Sequence, residues 1–267
     1  MEQNVLFAIS LTVFAGLATG IGGLIALFAT RTNKRFLSFS LGLSAGVMIY
    51  VSFVELFREA EISLTAEMGE KQGLIITVIC FFLGMLFVGL IDKLVPSHEN
   101  PHELRSIENM NRPPIKNQKL MKMGILTAIA VTVHNFPEGI ATFMAAYENP
   151  TLGIAIAVAI AIHNIPEGIA ISVPIYHATG SKMKAFRLSL LSGLAEPLGA
   201  ILTYLFLLPF ISPIVLGGVF AAVAGIMVFI SFDELLPAAR EYGEHHISIY
   251  GLIAGMGIMA ISLIMLA

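Results

Sequence analysis

The chain is predicted to be an all-α integral membrane protein, with eight transmembrane helices in a 3+2+3 inverted-repeat arrangement and both termini outside. Three observations predict this. Of 267 residues, 57% are hydrophobic and only 12% charged, with a mean hydropathy of +0.86, far from the usual soluble composition. The apolar residues gather into segments long enough to cross about 30 Å of hydrocarbon, which takes around 20 helical residues. The basic residues fall in alternate connections, as the preference of Lys and Arg for the cytoplasmic side demands.

Taken in order, the spans are drawn at Val5–Thr30, Leu37–Phe57, Gly73–Val95, Gly124–Tyr147, Leu152–Tyr176, Leu188–Phe210, Ile214–Leu236 and Ile247–Leu266. The first residues, Met-Glu-Gln-Asn, lack the positive stretch of a secretory signal, so the first segment reads as a retained helix. The break between the sixth and seventh rests on Ile211-Ser212-Pro213. With the N-terminus outside, all of the fifteen basic residues except Arg58 and Lys71 fall in cytoplasmic connections. The chain then divides into a first repeat over 1–95, a flexible cytoplasmic loop over 96–120, a central pair of helices over 121–180 and a second repeat over 181–267. The loop carries Pro101, Pro113 and Pro114 and many polar residues, and its His98 and His102 read as solvated side chains. Cys80, the single cysteine, excludes an internal disulfide and reads as an inert thiol. A net charge of −3 with scattered basic residues argues against nucleic acid as a partner.

The repeat is visible in the residues. Ala45-Gly46-Val47-Met48-Ile49-Tyr50-Val51-Ser52-Phe53-Val54-Glu55-Leu56 aligns without gaps on Ala224-Gly225-Ile226-Met227-Val228-Phe229-Ile230-Ser231-Phe232-Asp233-Glu234-Leu235, and Gly16–Gly22 aligns more weakly on Gly193–Gly199. An odd number of spans separates each pair, so the two copies run in opposite directions, an architecture that surrounds a site near the midplane. Glu55, and Asp233 with Glu234, read as acidic markers of an entrance and an exit, and Met48 and Met227 as packing residues.

One phrase occurs twice, as His134-Asn135-Phe136-Pro137-Glu138-Gly139 and His163-Asn164-Ile165-Pro166-Glu167-Gly168. Residues three and four apart share a helical face, so His134, Asn135 and Glu138 form one polar patch and His163, Asn164 and Glu167 another. Each proline should kink its helix and free the carbonyl of Val133 or Ile162. Glu196, followed by Pro197, adds a third carboxylate, and its repeat partner is Thr19, so the site should be asymmetric. Imidazoles, amide oxygens and carboxylates without a thiolate suit Zn²⁺, Fe²⁺, Mn²⁺ or Co²⁺. An ionised carboxylate at the bilayer centre costs roughly 2.5–3.5 kcal/mol on the lenient scale, so three of them call for a compensating cation or protonation, and a divalent ion supplies the compensation.

The doubled phrase, the Ala195-Glu196-Pro197 step, eight spans and the long third connection resemble the ZIP (Zrt/Irt-like) metal transporters, and the short chain looks most like a bacterial branch of that family. The resemblance implies uptake of divalent first-row metal, with Cd²⁺ beside the ions above, and no cofactor. It implies a site holding up to two ions, with His134, Asn135, Glu138, His163, Asn164, Glu167 and Glu196 as ligands and Glu234 near the exit. It also implies a homodimer in the cell membrane and an elevator-like motion of helices one, four, five and six against the other four. Many members carry a histidine-rich third loop, which this chain lacks. The rival class is a membrane-embedded di-metal oxidase or peptidase, but neither Glu-x-x-His nor His-Glu-x-x-His occurs here. A channel would need a continuous polar lining, which helices one, three and eight do not supply.

Overall fold

A computed structural model describes residues 2–28, 34–94, 118–210, 212–242 and 245–266. Within these, every residue is helical except Gly69, Asn149, Gly180, Ser181, Leu194 and Ser212, and no strand occurs. The helices are α1 (Glu2–Phe28), α2 (34–68), α3 (Glu70–Leu94), α4 (Gln118–Glu148), α5 (Pro150–Thr179), α6 (182–210), α7 (213–242) and α8 (His245–Leu266). Among the described residues, seven helices are long and apolar enough to cross a membrane. The remaining one, α4, is 31 residues long and carries the first polar phrase. The expected third loop, with His98 and His102, lies outside the described residues.

The turns follow from their residues. Gly69 adopts φ 82° between α2 and α3, a conformation that costs glycine little because it has no Cβ. The Asn149 side chain caps α5 by accepting from the Thr151 and Leu152 amides at 3.0 and 3.3 Å, with Pro150 in the first turn, where its missing N–H is harmless. Ser212 caps α7 in the same way ahead of Pro213, which is the break expected from Ser-Pro.

One helix runs further than its hydropathy suggests. The second was expected to stop near Phe57, but it continues to Met68 because Ala60 and Leu64 are buried against α7 while its charged residues face away. Glu55 therefore stands within the rod rather than at its end. It lies in a π-helical segment, Ser52–Leu56, and the aligned segment of α7, Ser231–Leu235, is π-helical as well. In both, the serine hydroxyl turns back on a buried methionine's carbonyl: Ser52 Oγ donates to Met48 O at 2.6 Å and Ser231 Oγ to Met227 O at 2.8 Å. Such π segments open the helical ladder and recur at functional sites.

Packing sorts the helices into two groups of four. Helices α1, α4, α5 and α6 pack on one another, as α2 does on α8 and α7 and α3 on α7, and α2 against α5 joins the groups. Small residues let backbones touch, the usual device where lipid removes any hydrophobic drive between helices. The close approaches come in matched pairs. Gly22 of α1 faces the Ile165 carbonyl of α5, and Gly199 of α6 faces the Phe136 carbonyl of α4; Gly168 faces the Thr19 carbonyl, and Gly139 faces that of Glu196. In the other group, Gly46 faces the Leu252 carbonyl as Gly225 faces that of Phe81, and Gly255 faces Leu43 as Gly84 faces Ala222. Outward faces carry large apolar side chains, such as Leu74, Val78, Phe82, Leu86 and Leu90 on α3, which is a surface made for acyl chains.

A methyl group at Gly168 would collide with the Thr19 carbonyl, whereas one at Gly257 would meet nothing within 4 Å. Gly168→Ala should therefore destabilise the detergent-solubilised protein by about 1–3 kcal/mol, and Gly257→Ala should not. Thermal unfolding of the two variants side by side checks this, and equal melting temperatures would contradict the packing.

Candidate metal centre

The two polar phrases lie on α4 and α5, and both helices remain α-helical through Pro137 and Pro166. A break in the helix occurs on α6. Pro197 has no N–H to offer the Gly193 carbonyl four residues back, and the helix breaks at Leu194 (φ −68°, ψ −7°) before restarting at Ala195. Glu196 thus sits in the first turn of a new helical segment and is completely buried.

Asn135, Glu138, His163, Asn164, Glu167 and Glu196 are all buried to within 3% exposure, so the structure turns every described member of the predicted set inward and none toward lipid. His134 is placed on α4 by its backbone, and its side chain lies outside the described residues, as does that of Glu234. Contacts across helices join the members. His163 Nε2 lies 3.2 Å from both carboxylate oxygens of Glu138, linking α5 to α4. Asn164 Nδ2 donates to Glu196 Oε1, linking α5 to α6, and to the Ala15 carbonyl of α1 at 3.0 Å. Asn135 Nδ2 donates to the Ser192 carbonyl of α6 at 3.3 Å. Ser44 Oγ of α2 reaches the His163 carbonyl at 3.4 Å and so brings the second group of helices to the site.

The two asparagines are oriented by the same logic. A backbone carbonyl only accepts, so each amide must present its NH₂ to Ala15 or Ser192. Each is then left with a buried Oδ1 that has no hydrogen-bond partner, and Glu196 Oε2 is in the same position. Buried oxygens without a partner are uncommon and carry a penalty of about 1–3 kcal/mol each. The charge is also unbalanced. Glu138, Glu167 and Glu196 are buried, while no Lys or Arg is buried among the described residues. Buried oxygens without a partner, and three buried carboxyls with no Lys or Arg beside them among the described residues, are what a divalent cation would satisfy. No three described His, Cys, Asp or Glu side chains have closed to metal-holding distances; hydrogen bonds between the side chains stand where bonds to an ion would be.

Glu55 and Asp233 are on the other group of helices, Glu55 half-buried and Asp233 exposed, each within its π segment. Met48 and Met227 are fully packed in the core, as expected. The contributions of Ala15, Ser192 and Ser44 were not foreseen from sequence. Two act through backbone carbonyls, which every residue has, and only the run Ser44-Ala45-Gly46 hints at a close crossing.

Comparison with known proteins agrees with this geometry. The family described as ZIP Zinc transporter matches residues 92–263. A protein named Zinc transporter ZupT from Oceanobacillus iheyensis is 61% identical over 267 residues, covering 99% of this chain and all of that one. Relatives of the same name from Lysinibacillus sphaericus and Streptococcus mutans are 60% and 59% identical, each covering 99% or more of both chains. With paired His-Asn-x-Pro-Glu-Gly helices buried in an apolar bundle and near-complete alignment to such relatives, the chain belongs to the ZIP zinc transporter family.

Proposed function

We propose that this chain takes up divalent metal into the cytoplasm through the buried cluster on α4, α5 and α6, with His134, Asn135, Glu138, His163, Asn164, Glu167 and Glu196 as ligands. Family membership makes the chain a multi-pass cell-membrane zinc transporter and not an enzyme, which disposes of the oxidase or peptidase alternative. The donor set, nitrogen and oxygen without sulfur, extends the cargo to Fe²⁺, Mn²⁺ and Co²⁺, and the resemblance to the family adds Cd²⁺. The observation that carries the ligand assignment is the pair of asparagines: both NH₂ groups are tied to carbonyls, and both Oδ1 atoms are held buried without a partner.

The empty carrier also has to be tolerable. When the ion leaves, Glu138 regains His163 and Glu196 regains Asn164, so the carboxylates exchange metal for hydrogen bonds rather than for nothing. That exchange keeps release within reach, since binding must be favourable enough to capture the ion and weak enough to let it go.

Alternating access through a 3+2+3 inverted repeat completes the proposal. The matched glycine contacts and the two equivalent π segments support it, because the contacts of α1 with α5 and of α2 with α8 have counterparts in those of α6 with α4 and of α7 with α3. Separation into two groups of four helices supports a motion of α1, α4, α5 and α6 against the rest. The ends of α5 and α6 at Lys182, Lys184 and Arg187 would then face the cytoplasm, with both termini outside. Glu55 would stand on the outer route, and Asp233 with Glu234 on the inner one.

Purified protein in liposomes loaded with a metal-sensing dye and challenged with Zn²⁺, Fe²⁺, Mn²⁺, Co²⁺ and Cd²⁺ should give a signal with each. Glu138→Ala and His163→Ala should each abolish uptake while folded protein remains in the membrane, and undiminished uptake in both variants would rule out the site. Replacing Asn164 by Leu, which removes Oδ1 and the contacts to Ala15 and Glu196, should weaken equilibrium zinc binding by about tenfold or more. Isothermal titration of the solubilised variant measures this, and wild-type affinity would remove Asn164 from the ligand set.

A further inference from the structure

A serine or threonine on a helix has a backbone carbonyl one turn back to which its hydroxyl can donate, so a buried hydroxyl seldom needs to go without a partner. Ser52, Thr77, Thr132, Thr179, Thr203 and Ser231 each use the carbonyl four residues back. Ser38, Ser44 and Ser189 reach carbonyls of other helices instead. Thr19, Thr142 and Ser172 do neither, and their buried hydroxyls have no hydrogen-bond partner. Two of the three stand at tight helix crossings that restrict their rotamers: a Cβ at Gly193 would lie 2.9 Å from Thr19 Oγ1, and one at Gly23 would lie 3.0 Å from Ser172 Oγ. Thr142 is not among the nearest neighbours of any described glycine, so crossing geometry does not account for it.

Its position gives another reason. Asn135, Glu138 and Thr142 follow at steps of three and four along α4, and so lie on one helical face. A helical side chain leans toward the N-terminus of its helix, which sets Thr142 over the turn that carries Glu138. In the register that pairs His134 with His163, Asn135 and Glu138 match Asn164 and Glu167, but Thr142 matches Ile171. Both of these last residues are fully buried. An isoleucine fills the place on α5 without burying a polar atom, whereas α4 puts a hydroxyl there and leaves it off the Glu138 carbonyl one turn back.

We propose that Thr142 is a positioning residue for Glu138: its hydroxyl donates to the Glu138 carboxylate when a divalent ion draws His163 away, and so holds that carboxylate toward the ion. The proposal rests on the transport site described above. Here both carboxylate oxygens of Glu138 lie 3.2 Å from His163 Nε2. A ring nitrogen that gives its lone pair to a metal carries no proton, so ion binding through Nε2 ends that hydrogen bond. A carboxylate ligand that keeps an outer hydrogen bond stays oriented, and partners of this kind change metal affinity by about 10–100-fold. Thr142 supplies one from the same helix, with a proton committed to no other acceptor.

The test uses the purified full chain, with zinc affinity read by isothermal titration and the melting temperature read on protein stripped of metal. Thr142→Val keeps the shape of the side chain and removes its hydroxyl. It should weaken zinc binding about tenfold without lowering the metal-free melting temperature, because the oxygen it removes has no partner there. Thr142→Ser retains the hydroxyl and should bind zinc within about threefold of wild type. Thr142→Ala should show the same loss as Thr142→Val and covers the case in which valine is not accommodated. Wild-type affinity in Thr142→Val and Thr142→Ala, or a loss in Thr142→Ser as large as in those two, would overturn the assignment. Glu138→Ala run in parallel separates the two ideas: if it loses zinc binding while Thr142→Val keeps it, only the positioning role fails, and if Glu138→Ala binds zinc and takes it up as wild type does, the transport site fails and the positioning role with it.

Discussion

Three carboxylates buried in an apolar bundle set the terms for everything around them. Each would cost several kcal/mol if ionised and alone in hydrocarbon, and the bundle buries no Lys or Arg among its described residues to offset them. The structure meets this constraint with local donors, His163 for Glu138 and Asn164 for Glu196. Both donors sit on α5, between the helices that carry Glu138 and Glu196, so the network can trade one partner for another without unfolding anything. In the proposed transport cycle, a site built in this way receives a cation and is still tolerable when empty.

The backbone must come close for that network to form. Gly139 and Gly168, one residue after each glutamate, let α4 press on the Glu196 carbonyl and α5 on that of Thr19. The consequence is that the carbonyls of Ala15 and Ser192 fall within reach of the asparagines and fix their orientation. Packing and ligand geometry are thus one feature, and the small residue in the phrase is as necessary to the site as the acidic one. Glu196 then breaks the match by standing where the other copy has Thr19, which places the third carboxylate on one side only.

Much of this was legible in the linear chain. Hydropathy located the helices because a bilayer demands about 20 apolar residues wherever the chain crosses, and the doubled phrase marked the donors because such residues are expensive at that depth. Where hydropathy weakened, it misled: Phe57–Met68 looked like the end of a helix, but burial of Ala60 and Leu64 against α7 prolongs it and leaves Glu55 inside the rod. The prolines differ in what surrounds them. Pro137 and Pro166 sit in helices that continue, whereas the interruption comes ahead of Pro197, where Gly193 packs against Gly16.

By itself, the sequence determined the class of the protein, the helices and the candidate donors, because these depend on composition and on spacing along one helix. Only the tertiary structure decided which donors meet. Pairing His163 with Glu138, aiming each asparagine by a distant carbonyl and packing Ser172 and Ser189 against Gly23 all depend on how α1, α4, α5 and α6 are set against one another. Such distances between helices are fixed by backbone contact at glycines, and a carbonyl oxygen leaves no mark in the order of side chains.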